Sequence, residues 1–259
     1  MKITALYFYP VKSLAGIRVE TLHLEAAGPR FDREWMVVNE AGKFITQREF
    51  PKMQLIQTSV DEESLRLKFG EDSLRIPLHA KPGALCPVEV WGTQVEASEE
   101  GKEATQFLAK TLAPGLRLVR LSPRGRQEEA GGRAYEVRFA DACPLLLCAE
   151  ESMAELNRRA GRELEIERFR PNIVVSGAPA FAEDSWAGIT INNNNFDRIR
   201  PCTRCGVTSV DPATAERGPE PLKTLATFRK QGNKLEFGQY FFSPGPCTLR
   251  VGELFSPCA

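Results

Sequence analysis

The sequence predicts a mostly β fold with a few helices, an α+β chain in two lobes of which the first is barrel-like. Three observations carry this prediction. Short apolar runs of strand period, separated by turn residues, fill the first hundred positions. Isolated stretches of helical period stand between strands further on. The 259 residues, 42% apolar and 26% charged, are enough for two packed cores. A polar, glycine-bearing stretch at 122–132 reads as a mobile loop near the lobe boundary, giving units of 1–120 and 121–259.

The chain opens on Leu6-Tyr7-Phe8-Tyr9, an aromatic strand stopped by Pro10. Ile17 and Val19 then alternate with polar residues, whereas Leu22 and Leu24 alternate in the opposite parity. A bulge or a break therefore falls between Val19 and Leu22. Residues 34–38 and 43–46 flank Asn39-Glu40-Ala41-Gly42 and predict a hairpin. Further strands at 55–60, 65–69 and 74–78 complete what reads as a small barrel or folded sheet. Between 99 and 112, Ala104, Phe107, Leu108, Thr111 and Leu112 share one helical face, and Pro114-Gly115 ends it.

The second lobe alternates helices and strands. A helix at 151–159 stops at Gly161, and strands are expected at 173–175, 189–191 and 207–210. The polar run 192–195 reads as a hairpin tip. Another helix spans 221–229, with Pro221 at its permitted first turn and Leu222, Leu225 and Phe228 inward. Strands at 237–242 and 248–251 finish the chain.

Composition excludes some classes of function. Basic and acidic side chains number 34 each, so the surface lacks the positive field that gathers a nucleic-acid backbone. The first residues show no charged leader followed by an apolar core and cleavage site, and no segment approaches the ~20 apolar residues of a membrane span. The seven cysteines are an odd, scattered set, read as reduced thiols. A cytoplasmic protein is expected.

Pro201-Cys202-Thr203-Arg204-Cys205 is the sharpest local feature. Its two thiols admit four readings: half a zinc site, a redox disulfide, one thiolate on a soft metal, or core packing. Structural zinc needs four ligands, and neither a second such pair nor a nearby histidine is present. A redox pair should open a helix, but the β-branched Val207-Thr208-Ser209-Val210 predicts a strand. Arg204 favours a thiolate beside it, the form that binds soft metals.

The wider pattern resembles MOSC-domain proteins in which an N-terminal β-barrel lobe packs on a MOSC β-barrel lobe, the group of the mitochondrial amidoxime-reducing component and its bacterial relatives. Five segments carry the resemblance in order: Tyr9-Pro10-Val11-Lys12-Ser13, Phe31-Asp32-Arg33-Glu34-Trp35, Phe169-Arg170-Pro171-Asn172, Pro201 to Cys205 with Val210-Asp211-Pro212, and Phe237-Gly238-Gln239-Tyr240.

The resemblance implies a pyranopterin-dithiolene molybdenum cofactor between the lobes, with Cys205 as metal ligand and catalytic thiolate. It places Lys12, Ser13, Arg33 and Arg170 around the cofactor phosphate, and Thr203, Arg204 and Tyr240 near the metal or pterin. The segment Asp141-Ala142-Cys143-Pro144 departs from the family, where small hydroxyl residues often face the cofactor; Cys143 offers only a weak donor there. Asp141 and Asp211 are candidates for moving protons, with turn stabilisation beside Pro144 or Pro212 as the alternative. The implied activity is removal of oxygen from N-hydroxylated small molecules, with electrons from a separate ferredoxin, flavodoxin or cytochrome and its reductase. Two alternatives stand beside it: a sulfur carrier using a Cys205 persulfide, and a non-catalytic cofactor-binding module.

Overall fold

The computed structural model describes all residues except Pro82, Pro123, Arg124 and Ala259. Strands dominate, with three α-helices among the described residues: α1 Lys102–Thr111, α2 Glu150–Ala160 and α3 Leu222–Phe228. The mostly β prediction holds.

Two principal cores organise the chain. The first joins Val11, Leu14, Trp35, Val37, Met53, Leu65, Leu67 and Leu118 to Phe107 and Leu108 of α1. Around it lie the meander Gln57–Val60, Ser64–Phe69 and Asp72–Pro77, and a four-stranded sheet ordered Trp35–Val38, Arg117–Leu121, Thr93–Glu99 and Leu85–Val90. The buried positions of α1 are Ala104, Phe107, Leu108 and Thr111, the face its period predicts. The second core gathers Ile3, Leu6, Leu22, Leu24, Leu145, Leu147, Ile173, Trp186, Ile189, Phe196 and Phe241.

A nine-stranded sheet spans this second core. Along its main path it runs Ile17–Val19, Lys2–Phe8, Ile173–Ser176, Leu145–Ala149, Lys234–Phe241, Asn194–Thr203, Gly188–Ile191 and Phe255–Cys258. Among the described residues the two end strands do not pair with each other. The parallel pair of Leu145–Ala149 with Ile173–Ser176 is bridged by α2, as a crossover requires. The first strand of the chain therefore sits inside the sheet of the second core. Thr21–Glu25 likewise pairs with Cys247–Arg250.

That arrangement explains the parity slip near Val19. Residues 17–19 pair with Lys2–Phe8, while residues 21–25 leave for a different three-stranded sheet. The slip is a break, at which one strand hands the chain from sheet to sheet. The 192–195 tip is also a hairpin, its turn made by Asn192 and Asn193 at φ 47° and 63°, positions asparagine tolerates.

Three expectations are corrected. Residues 122–132 are no simple loop: Arg126–Ala130 and Arg133–Val137 form a hairpin around Gly131 and Gly132, both at positive φ. Pro123 and Arg124, in the same expected loop, lie outside the described residues. Residues 43–46 make only isolated bridges, Val38 with Phe44 and Lys43 with Glu89, instead of a full hairpin arm. Residues 207–210 are no strand, because Gly206–Ser209 turns as a 3-10 helix. There Thr208 satisfies the Cys205 carbonyl with both its amide (3.1 Å) and its hydroxyl (2.9 Å), a local bond that outcompetes β propensity.

Gly238 shows how the large sheet is shaped. It lies at φ 76° where Lys234–Phe241 gains one residue against Asn194–Thr203, a bulge beside Tyr240. A Cβ there would meet Leu147 O at 2.8 Å and Cys148 Sγ at 2.7 Å. Gly238→Ala should therefore cost on the order of 3 kcal/mol, from the left-handed backbone and overpacking together. A urea midpoint unchanged by the substitution would contradict this.

Candidate functional site

A cleft draws its walls from distant parts of the chain. Lys12, Ser13, Arg33, Thr46 and Arg48 come to it from the first fifty residues, and Asp141, Cys143, Arg168, Arg170, Thr203, Arg204, Cys205, Thr208 and Tyr240 from beyond residue 140. Every predicted site residue except Asp211 is thus brought to one place.

Backbone turns aim several of these side chains. Ser13, Arg33 and Arg170 all sit at positive φ, 68°, 49° and 56°, although none is glycine or asparagine. Such conformations persist only where surrounding bonds over-determine them, and they concentrate at functional sites. Here Arg33 N donates to Tyr9 O at 2.7 Å, and Arg170 N donates to Glu167 O at 3.0 Å, closing a short 3-10 turn.

Asp32 ties this arrangement together. Its buried carboxylate accepts from Tyr9 N (2.8 Å), from Arg33 Nη1 (2.6 Å to Oδ2) and from Asn172 Nδ2 (3.3 Å). Asn172 in turn accepts the amide of Leu146 with its side chain. The guanidinium groups of Arg33 and Arg170 both lie 4.2 Å from the centroid of the Tyr9 ring. One tyrosine thus supports two cations, in a cation–π arrangement.

The cleft is cationic. Lys12, Arg33, Arg48, Arg168, Arg170 and Arg204 line it against the single carboxylate of Asp141. Burial, followed by repulsion from Arg33, lowers the Arg170 pKa to about 10. Burial also lowers Lys12, although Asp141 opposes that shift. Lys12 Nζ donates to Phe139 O at 2.8 Å and forms an ion pair with Asp141. Burial raises and the Lys12 ammonium lowers the Asp141 pKa; the ammonium prevails, holding the carboxyl well below its ordinary range.

Two guanidinium atoms in the walls, Arg170 Nη2 and Arg204 Nε, are buried without a hydrogen-bond partner. Buried unpaired donors are costly, and each is a place where an acceptor of a bound group gains most. The other Arg204 donors are engaged: Nη1 lies 2.6 Å from Cys202 Sγ and Nη2 2.6 Å from Phe169 O.

The two thiols of the pair separate in role. Cys202 is buried in a third apolar cluster with Leu146, Phe169 and Phe237. Cys205 is exposed at the start of the 3-10 turn, facing the cleft. No group of three or more potential metal ligands occurs among the described histidine, cysteine and acidic residues. Cys143 is buried in the wall 3.7 Å from the Tyr135 hydroxyl, and burial pushes its thiol pKa up. Burial and then the neighbouring Cys202 thiol push Tyr240 up.

Asp211 stands apart. Its Oδ1 accepts the amides of Ala213 (2.9 Å) and Thr214 (3.0 Å), and its Oδ2 accepts from Arg168 Nη2. This is the turn-stabilising arrangement, outside the cleft wall but one ion pair from it through Arg168. Sequence reasoning missed Arg168, Thr46, Arg48 and Thr208. Arg168 follows Ile166-Glu167 inside a 3-10 turn with no motif of its own, Thr46 and Arg48 come from a connecting segment, and Thr208 lies in the 3-10 turn where the sequence predicts a strand.

Comparison with known proteins agrees with this architecture. Residues 1–114 match the MOSC N-terminal β-barrel domain and residues 134–255 the MOSC domain, which is of the molybdenum-cofactor sulfurase type. The chain is 34% identical to mitochondrial amidoxime-reducing component 1 of Mus musculus, over 97% of this chain and 80% of the relative. Identity to component 1 of Homo sapiens is 32% (97% and 81%), and to component 2 of Bos taurus 33% (97% and 81%). The chain belongs to the MOSC family that carries both domains and includes the amidoxime-reducing components.

Proposed function

We propose that the cleft holds a pyranopterin-dithiolene molybdenum cofactor and that the chain is a cytoplasmic enzyme reducing N-hydroxylated small molecules with it. The observation that carries this reading is the union, in one cationic cleft, of an exposed thiol at Cys205 with the unpartnered buried donors of Arg170 and Arg204. An anionic, sulfur-rich guest satisfies both.

The residues fit the group. Lys12, Ser13, Arg33 and Arg170 would hold its phosphate; Thr203, Arg204, Cys143 and Tyr240 would line the metal and pterin, and the Cys205 thiolate would bind the metal. The cleft encloses about 90 Å³, below the ~300 Å³ at which pockets for whole organic ligands begin. A guest of this size requires the walls to move apart, while the unpartnered donors of Arg170 and Arg204 offer it hydrogen bonds without breaking those already made.

When bound, the group would supply two electrons for breaking the N–O bond, which with the uptake of two protons gives the N-reduced base and water. The protein supplies position and charge. Asp141, kept ionised by Lys12, is too weak a base to carry a proton near neutral pH, and serves instead to hold the Lys12 ammonium in the cleft wall. Asp211 acts as a positioning residue, holding Arg168 in the wall. The two electrons come from a separate ferredoxin, flavodoxin or cytochrome-type protein with its reductase.

Molybdenum-loaded protein should oxidise a dithionite-reduced dye on addition of an amidoxime, and NADH alone should give no turnover. Absence of dye oxidation ends the reductase reading. The exposure of Cys205 also suits the sulfur-carrier alternative; a persulfide mass on Cys205 without molybdenum would select it.

A further inference from the structure

Trp91 and Gly92 form the two-residue tip joining strands Leu85–Val90 and Thr93–Glu99, with Val90 paired to Thr93. Both lie at positive φ, 52° and 82°. Asn-Gly or Asp-Gly suits such a tip, whereas a bulky residue at positive φ is a genuine outlier. A tryptophan here is unfavourable for the hairpin alone.

The side chain is held in three ways. Its ring centroid lies 4.9 Å from that of Phe44, the Arg48 guanidinium sits 4.7 Å over it, and its Nε1 donates to Asp141 Oδ1 at 3.2 Å. Arg48 and Asp141 both line the cleft. The indole therefore stands at the cleft rim with its polar end fixed, and 49% of it is exposed, while Trp35 and Trp186 are buried. Its face already carries a flat, nitrogen-rich group on a long, flexible stem. A planar group of a bound molecule can replace that guanidinium without moving the backbone.

We propose that Trp91 is a specificity residue of the cleft, whose indole face takes the aromatic part of a substrate in place of Arg48. It would favour N-hydroxylated groups borne on an arene over those on a short alkyl chain. This rests on the function proposed above.

The test compares wild type, Trp91→Ala and Trp91→Phe, each loaded with molybdenum and assayed with a dithionite-reduced dye, so that no protein donor takes part. The substrates are benzamidoxime and acetamidoxime. Aromatic pairing predicts a roughly two- to tenfold higher KM for benzamidoxime in Trp91→Ala, with kcat nearly unchanged and the KM for acetamidoxime unmoved. Trp91→Phe should recover most of the loss. Equal shifts for both substrates, or no shift, overturn the proposal.

Fluorescence gives a second readout independent of turnover. Benzamide, uncharged and so not repelled by the cationic cleft, should quench the emission of the wild type saturably, as acetamide should not, and this quenching should be absent from Trp91→Ala, because the other two tryptophans are buried. If neither amidoxime is turned over by the wild type, the reductase reading fails. The stack is then judged by quenching alone: lost in the variant, it stands; equal in both proteins or absent from the wild type, it falls.

Discussion

Cys205→Ala should lose its molybdenum and its reductase activity while keeping its fold. The structural work of residue 205 is done by its carbonyl, which accepts the Thr208 amide and hydroxyl, whereas its thiol is exposed to the cleft. Alanine keeps the former and removes the latter. Loss of an outer partner of a metal ligand costs ~10–100-fold, so loss of the ligand itself should reach at least the upper end of that range. Elemental analysis beside thermal unfolding separates the two effects. A variant retaining full metal and turnover would remove Cys205 from the mechanism.

The second large effect is on stability. Asp32→Ala should cost about 3–5 kcal/mol, the range for breaking a buried ion pair by removing one partner. It leaves the Tyr9 amide without its acceptor and deprives the mostly buried Arg33 guanidinium of its counter-charge. Asp32→Asn, which keeps the volume, should recover only part of this, since a neutral amide cannot offset the Arg33 charge. Urea unfolding measures the change; a loss below about 1 kcal/mol would mean that water or neighbouring groups replace the carboxylate freely.

Much of the fold was legible because it rests on period. The α1 face, the stop of α2 at Gly161 and the tip at Asn192-Asn193 follow from side-chain spacing and from residues that tolerate positive φ. The failures arose where local bonds override period. Val207 to Val210 looked like a strand, but Thr208 bonds back to Cys205 and the segment turns. Residues 122–132 looked like a loop because they are polar and glycine-bearing, yet Gly131-Gly132 permits a tight hairpin of Arg126–Ala130 with Arg133–Val137.

The site was legible in its motifs and illegible in its geometry. Lys12, Arg33, Arg170 and Cys205 are named by short segments of sequence, and the cleft gathers them. That Ser13, Arg33 and Arg170 adopt left-handed backbone conformations could not be read, since none is of a type that announces it. Asp211 illustrates the reverse: a carboxylate conspicuous in sequence is taken up by two turn amides and Arg168. Trp91 carried no motif, and its place at the rim emerges only from pairing of strands separated in sequence from the rest of the wall.

The insertion of Lys2–Phe8 between Ile17–Val19 and Ile173–Ser176 bears on how the chain matures on the ribosome. Leu6 pairs with Ile173, so one edge of this early strand waits for roughly 170 residues to be synthesised. At ~5–20 residues per second that is about ten to thirty seconds with a run of unpaired amides and apolar side chains along that edge. Holdase chaperones and slow-translating messages should matter at this stage.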